Sequence, residues 1–165
     1  MRLILVVLAV MFGFNSHAQI TLHEMNGITP AAGQEEVESV IGEKIEIPGD
    51  PDHPDFSTTV KRDGVAFELS FANPCAGEER PCYILQEIAT VSTKIKTSEQ
   101  VGVGSSLEAV KKAYAAYNQK ENCYTGMLED RDGFYVRDNE KGVTLYFDVT
   151  ENKVTKIGLF YFPAD

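Results

Sequence analysis

The chain has 165 residues, with 25 acidic and 15 basic side chains and a formal net charge of −10. That acidity argues against a partner with a phosphate backbone and against docking on an anionic membrane surface. A hydrophobic share of 43% and an aromatic share of 10% are ordinary for a folded chain, which excludes wholesale disorder and leaves room for one domain or two small ones.

In chain order the first feature is Met1-Arg2, the apolar run Leu3 to Phe14, and Asn15-Ser16-His17-Ala18. One early positive charge, about a dozen apolar residues and the small pair Ser16 and Ala18 make the three parts of a secretory signal. A spanning helix needs about 20 apolar residues, and Asn15, His17 and Gln19 end the run before that. Residues 1–18 are therefore expected to be a signal peptide cut near Ala18, with a periplasmic or secreted location and no membrane span. No Cys follows the apolar run, so a lipid anchor is not supported.

Ile28-Thr29-Pro30-Ala31-Ala32-Gly33 reads as a small-residue turn before a helix. Val37, Val40 and Ile41 form its apolar stripe, Glu35, Glu36 and Glu38 favour its N-terminal dipole, and Gly42 is its stop. Asp50-Pro51-Asp52-His53-Pro54-Asp55 follows. Three clustered carboxylates could begin a calcium site, but the run lacks the Gly and closing Glu of a calcium loop and reads better as a solvated turn. Val65, Phe67, Leu69 and Phe71 alternate with Ala66, Glu68 and Ser70, as in a half-buried strand.

Cys75 and Cys82 flank a polar, turn-rich stretch, and an oxidising compartment would keep them as a disulfide closing a short loop. Cys123 is left over. No zinc site is expected, since structural zinc takes four ligands and beyond the signal the chain has only His23 and His53. Tyr83 to Val91 is a further strand.

Val101-Gly102-Val103-Gly104-Ser105-Ser106-Leu107-Glu108 repeats the turn-then-helix pattern of Ile28 to Val37. Ser105 and Glu108 read as a capping box, and Leu107, Val110, Tyr114 and Tyr117 mark one face of a helix running to about Gln119. Glu129-Asp130-Arg131-Asp132-Gly133 ends in a turn signal before a short strand, Phe134 to Arg137. Val143, Leu145, Phe147 and Val149 alternate with Thr144, Tyr146 and Asp148. After the polar turn Thr150-Glu151-Asn152, Lys153 to Phe162 closes a hairpin. The fold class expected is α+β: two similar helix-then-antiparallel-strands units, residues 19–97 and 98–165, with helices packed on one sheet face.

An apolar–Gly–x–small turn, a helix and a three-stranded meander, carried by Ile28–Gly42 with Val65–Phe71 and by Val101–Tyr117 with Val143–Leu159, resembles a known fold. It is shared by β-lactamase inhibitory proteins and the small outer-membrane lipoproteins of the SmpA/OmlA (BamE) type. The resemblance covers about half of the chain beyond the signal and encodes a turn and helix start rather than chemistry. It implies a concave sheet face that grips another protein. The chain has no Trp and no lipidated Cys, and no functional residue is carried over.

No nucleophile-and-base motif, metalloprotease motif or phosphate-cradling glycine loop is present; Gly102-x-Gly104 serves as the turn before a helix. Parity instead puts Tyr146, Phe160 and Phe162 together on the face opposite Ile157, Leu159 and Tyr161. If left open, they form an aromatic patch of the kind that marks a binding surface. The function expected is non-catalytic binding of another protein in the envelope or extracellular space, without cofactor or metal. The competing reading is a small envelope hydrolase or ligand-binding protein with a carboxylate-lined cleft, pairing two acids or an acid with His23 or His53.

Overall fold

The structure, a computed structural model, describes residues 19–46, 55–75 and 82–163. Its body is one antiparallel sheet of seven strands. They are β2 (Asp55–Arg62), β3 (Val65–Ala72), β4 (Ile84–Thr90), β6 (Cys123–Met127), β7 (Gly133–Asp138), β8 (Val143–Thr150) and β9 (Lys153–Tyr161). The order is β2-β3-β4-β9-β8-β7-β6. Two meanders thus lie side by side, joined where β4 pairs with β9. Two-residue turns close two of the hairpins. Asp63-Gly64 and Glu151-Asn152 take positive φ at both residues, the geometry that matches the right-handed strand twist. A small parallel pair, β1 (Gln19–Ile20) and β5 (Lys96–Thr97), stands apart from the large sheet.

Alternation decides which face is dry. Val65, Phe67, Leu69 and Phe71 of β3, Leu145 and Phe147 of β8, and Ile157 and Leu159 of β9 are all buried in one cluster. The helices α1 (Gln34–Ile41) and α2 (Leu107–Tyr114) add Val37, Val110 and Tyr114 to it. The Tyr114 ring lies 5.6 Å from that of Phe147. Strand β1 contributes Ile20, and the loop after it Met25 and Ile28. Each such side chain stabilises the fold by about 1.5–3 kcal/mol through burial.

The expected layout of two balanced helix-then-strands units is corrected by this architecture. Strand dominates, and each α-helix has only 8 residues. Gly42, left-handed at φ 80°, ends α1 as the sequence indicates. After Tyr114, α2 tightens into a 3-10 turn over Ala115–Gln119. Two strands that the sequence did not announce, β2 and β6, form the sheet's edges. The sheet also runs unbroken across the 97/98 boundary through the β4–β9 pair.

The cap of α2 is likewise shifted. Ser106, not Ser105, is the N-cap and accepts from the Ala109 N–H at 3.2 Å. Ser105 instead accepts from the Gly102 N–H at 3.0 Å, tightening the preceding turn. Glu108 faces Lys111 at 3.7 Å rather than closing a capping box.

Cys75 and Cys82 form the disulfide that their spacing suggested, with Cα atoms 5.5 Å apart. Residues 1–18, which hold the signal-like segment, and Asp50 to Pro54 of the acidic run lie outside the described residues; Asp55 opens β2. No helix among the described residues is long and apolar enough to cross a membrane.

Glu38 behaves differently from its neighbours in α1. Its carboxylate is buried and accepts from Lys44 Nζ at 2.8 Å, Gln34 Nε2 at 2.9 Å and the Ile45 N–H at 3.0 Å. It thereby staples the chain beyond the helix back onto it. The Lys44 hydrogen bond, then those from Ile45 and Gln34, lower its pKa from 4.5 to about 2. A carboxyl whose folded pKa is depressed stabilises fully above its unfolded pKa, and that stability is lost as pH falls through the folded value. Urea unfolding at stepped pH should show the wild type losing stability between pH 4.5 and about 2, with a flatter curve for Glu38→Gln in that window. Superimposable curves would remove Glu38 from this role.

Candidate functional site

The second face of the sheet carries no helix among the described residues, and pairing registers map it strand by strand. One row crosses all seven strands as Tyr124, Arg137, Thr144, Phe160, Glu87, Ser70 and Ser57. The next runs Gly126, Tyr135, Tyr146, Gly158, Ala89, Glu68 and Thr59. The first row is polar at the β2 side and aromatic or cationic at the β6 side.

Glycines make the second row thin. A Cβ at Gly158 would overlap the Tyr146 ring, so that ring lies flat across β9. A Cβ at Gly126 would sit 2.8 Å from the Tyr135 hydroxyl oxygen, so Tyr135 lies over β6 in the same way. The Tyr146 hydroxyl reaches β4, where it donates to Glu87. Burial, and then the bonded Glu87 carboxylate, push that hydroxyl well above the usual tyrosine range, which keeps it a donor.

Arg131, on the loop between β6 and β7, folds over this surface. Its Nε donates to Asp148 Oδ1 at 2.6 Å, and its guanidinium lies 5.1 Å from the Tyr146 ring centre. Burial works against its charge, but the Asp148 bond outweighs that and raises the pKa. Arg137 is placed differently. Its Nε donates to Thr144 Oγ1 at 3.2 Å, and its guanidinium sits 4.8 Å from the Phe162 ring and 5.3 Å from the Tyr135 ring. No carboxylate among the described residues pairs with it. Between the two arginines, with Glu87, Leu128 and Phe160 on its walls, lies a groove of about 260 Å³.

The three residues singled out from sequence do share this face, but not equally. Tyr146 is only 4% exposed. Arg131 lies over it and it packs on Gly158, with no helix over it among the described residues. Phe160 and Phe162 remain half-buried. Tyr124 is 53% and Met127 47% exposed, both on β6. Sequence reasoning missed Glu87, Arg131 and Arg137. The parity of their strands could have placed Glu87 and Arg137 opposite the core, whereas Arg131 arrives from a turn, where no periodicity speaks.

A His–acid pair exists elsewhere. His23 Nε2 lies 2.9 Å from Asp138 Oδ2. Asp138 pairs across the sheet with buried Cys123. Burial, and then the Asp138 charge, raise the Cys123 thiol above its ordinary pKa, which keeps it protonated and a poor nucleophile. No group of three or more His, Cys, Asp or Glu among the described residues is arranged to hold a metal ion.

The flat stacking of Tyr146 makes a sharp expectation. Gly158→Ala must displace that ring or bend β9, at a cost of about 1–3 kcal/mol. Urea denaturation with far-UV circular dichroism would read it. A change below the scatter of replicate midpoints would show that the ring has room to move.

No family model matches this chain, and no curated protein sequence matches it. Among solved structures, the crystal structure of the uncharacterized protein yfeY from Escherichia coli is similar, with a TM-score of 0.38 and 10% identity over 87% of this chain and 99% of that one.

Proposed function

We propose that the protein is an exported, non-catalytic binding module that holds another protein against the helix-free face of its sheet. The observation that carries this reading is Arg137: an exposed guanidinium set between Phe162 and Tyr135, beside half-buried Phe160, with no carboxylate partner among the described residues. Arginine and aromatic side chains dominate the energetics of protein interfaces. Here their rings are held by glycine packing and strand pairing, so little side-chain freedom is lost on contact. The same use of a sheet face is what the resemblance to inhibitory and envelope-assembly proteins implies. The signal-like N-terminus and the Cys75–Cys82 disulfide support a periplasmic or secreted setting.

The hydrolase alternative draws less support. The groove's carboxylate, Glu87, is engaged by Tyr146, and its other charged walls are arginines. The His23–Asp138 pair stands beside a thiol that burial keeps protonated.

The test is a cross-linked capture from envelope and medium, using tagged protein made with its N-terminal segment so that the cell processes it. Phe160→Ala and Arg137→Ala should each weaken binding of one recurrent protein by about 10-fold or more. Lys112→Ala, an exposed site on α2, should leave it unchanged. Equal capture by all three variants, or no recurrent protein, would remove the proposal.

A further inference from the structure

The two edges of the sheet are treated differently. At the β6 edge, the preceding 3-10 turn blocks the strand: the Thr125 N–H donates to Asn118 Oδ1 at 2.8 Å, and the Cys123 N–H donates to the Lys120 carbonyl at 3.2 Å. At the other edge, β2 pairs only with β3 among the described residues. It is 8 residues long. Its register with β3 is unbroken from Asp55↔Ala72 to Arg62↔Val65. Neither proline nor bulge interrupts it, two of the protections an edge can carry; its charges, Asp55, Lys61 and Arg62, stand at the two ends and leave Phe56 to Val60 uncharged.

The direction of its unpaired groups follows from the turn. The two-residue connection Asp63-Gly64 makes Arg62 and Val65 a hydrogen-bonded pair. In an antiparallel ladder such pairs alternate with non-bonded ones. Val60, Thr58 and Phe56 therefore bond inward to β3, and Asp55, Ser57, Thr59 and Lys61 aim their N–H and C=O groups outward. The 2.9 Å contact between Ser57 Oγ and Ser70 Oγ agrees, because side chains approach more closely across non-bonded pairs. All four outward residues are exposed.

We propose that β2 is a dimerisation edge, on which a second copy of this chain pairs its own β2 antiparallel about a twofold axis at Thr58. In that register Asp55 of each copy faces Lys61 of the other, Ser57 faces Thr59, and Phe56 faces Val60. Every outward-bonding residue meets an outward-bonding residue, as the ladder requires, and both ends carry opposite charges. Such a contact is isologous and closed, which an edge needs if it is not to propagate into fibres. The product is one sheet continuous through both copies, with the two arginine-lined grooves on one shared face. The reading is independent of what that face binds.

The closing experiment uses sedimentation equilibrium and charge reversal. The wild type should approach twice the mass of one chain as concentration rises. Asp55→Lys and Lys61→Asp each set like charges opposite one another, so each alone should dimerise about 10-fold more weakly. Mixed together, the two variants become complementary and should recover the dimer. As a second measure, Thr58→Cys places two thiols on the axis across a non-bonded pair, where Cα atoms lie about 4.5 Å apart, within disulfide range. It should give a covalent dimer on a non-reducing gel, with Cys123 buried and Cys75 and Cys82 already bridged. A wild type that stays monomeric with no Thr58→Cys dimer would overturn the proposal. So would a dimer indifferent to charge reversal, or a Thr58→Cys cross-link to a different protein.

Discussion

The pairing of β4 with β9 is the constraint on which the rest of this molecule depends. Each meander alone would be a small sheet with one apolar face and too little cover. Joined through Glu87↔Phe160, Ile88↔Leu159, Ala89↔Gly158 and Thr90↔Ile157, they bury a single core in which Phe67, Leu69, Leu145 and Phe147 all reach zero exposure. The same pairing sets the chemistry of the opposite face. It brings Glu87 from the first meander within reach of the Tyr146 hydroxyl from the second, across the Gly158 that β8–β9 pairing sets beneath the Tyr146 ring.

The central strands were legible in the sequence because burial on one face imposes alternation. Val65 to Phe71 alternates in burial as it does in sequence, while Val143 to Val149 alternates in sequence although Thr144 and Tyr146 are buried too; both strands sit with paired neighbours on either side. The edges were not legible for the complementary reason. Asp55-Phe56-Ser57-Thr58-Thr59-Val60-Lys61-Arg62 is wet on one face and along one margin, so polar residues intrude on the apolar phase. Cys123-Tyr124-Thr125-Gly126-Met127 puts glycine where Tyr135 must lie and leaves Tyr124 and Met127 exposed. Helix α2 shows a milder form of the same limit. Its apolar stripe identified the face correctly, yet Ser105 and Ser106 compete for the cap, and only the preceding turn, which recruits Ser105, decides between them.

The site was half visible. Parity alone sends Tyr146, Phe160 and Phe162 to one face. Whether each lies open depends on what sits across the strand, and register is not written in any single segment. Gly158 opposite Tyr146 turns an aromatic side chain from a standing knob into a flat floor. Thr144 opposite Phe160 leaves the latter raised. The presence or absence of a side chain on the neighbouring strand thus separates a structural aromatic from an accessible one.

Charge placement follows a similar logic at longer range. The chain carries ten more acids than bases, yet two of the three arginines among the described residues line one groove. The general acidity sets the distant field and favours encounter with neutral or basic surfaces, and salt attenuates it beyond about 8 Å. Arg137 acts inside that distance. Arginine rather than lysine suits the position, because a planar guanidinium can lie against the Tyr135 and Phe162 rings and still offer a fork of donors outward. Arg131, by contrast, is neutralised by Asp148 and Asp130 and serves to cover Tyr146. One arginine closes the floor of the groove and the other keeps its charge for contact, so the surface is selective at close range without depending on the net charge of the chain.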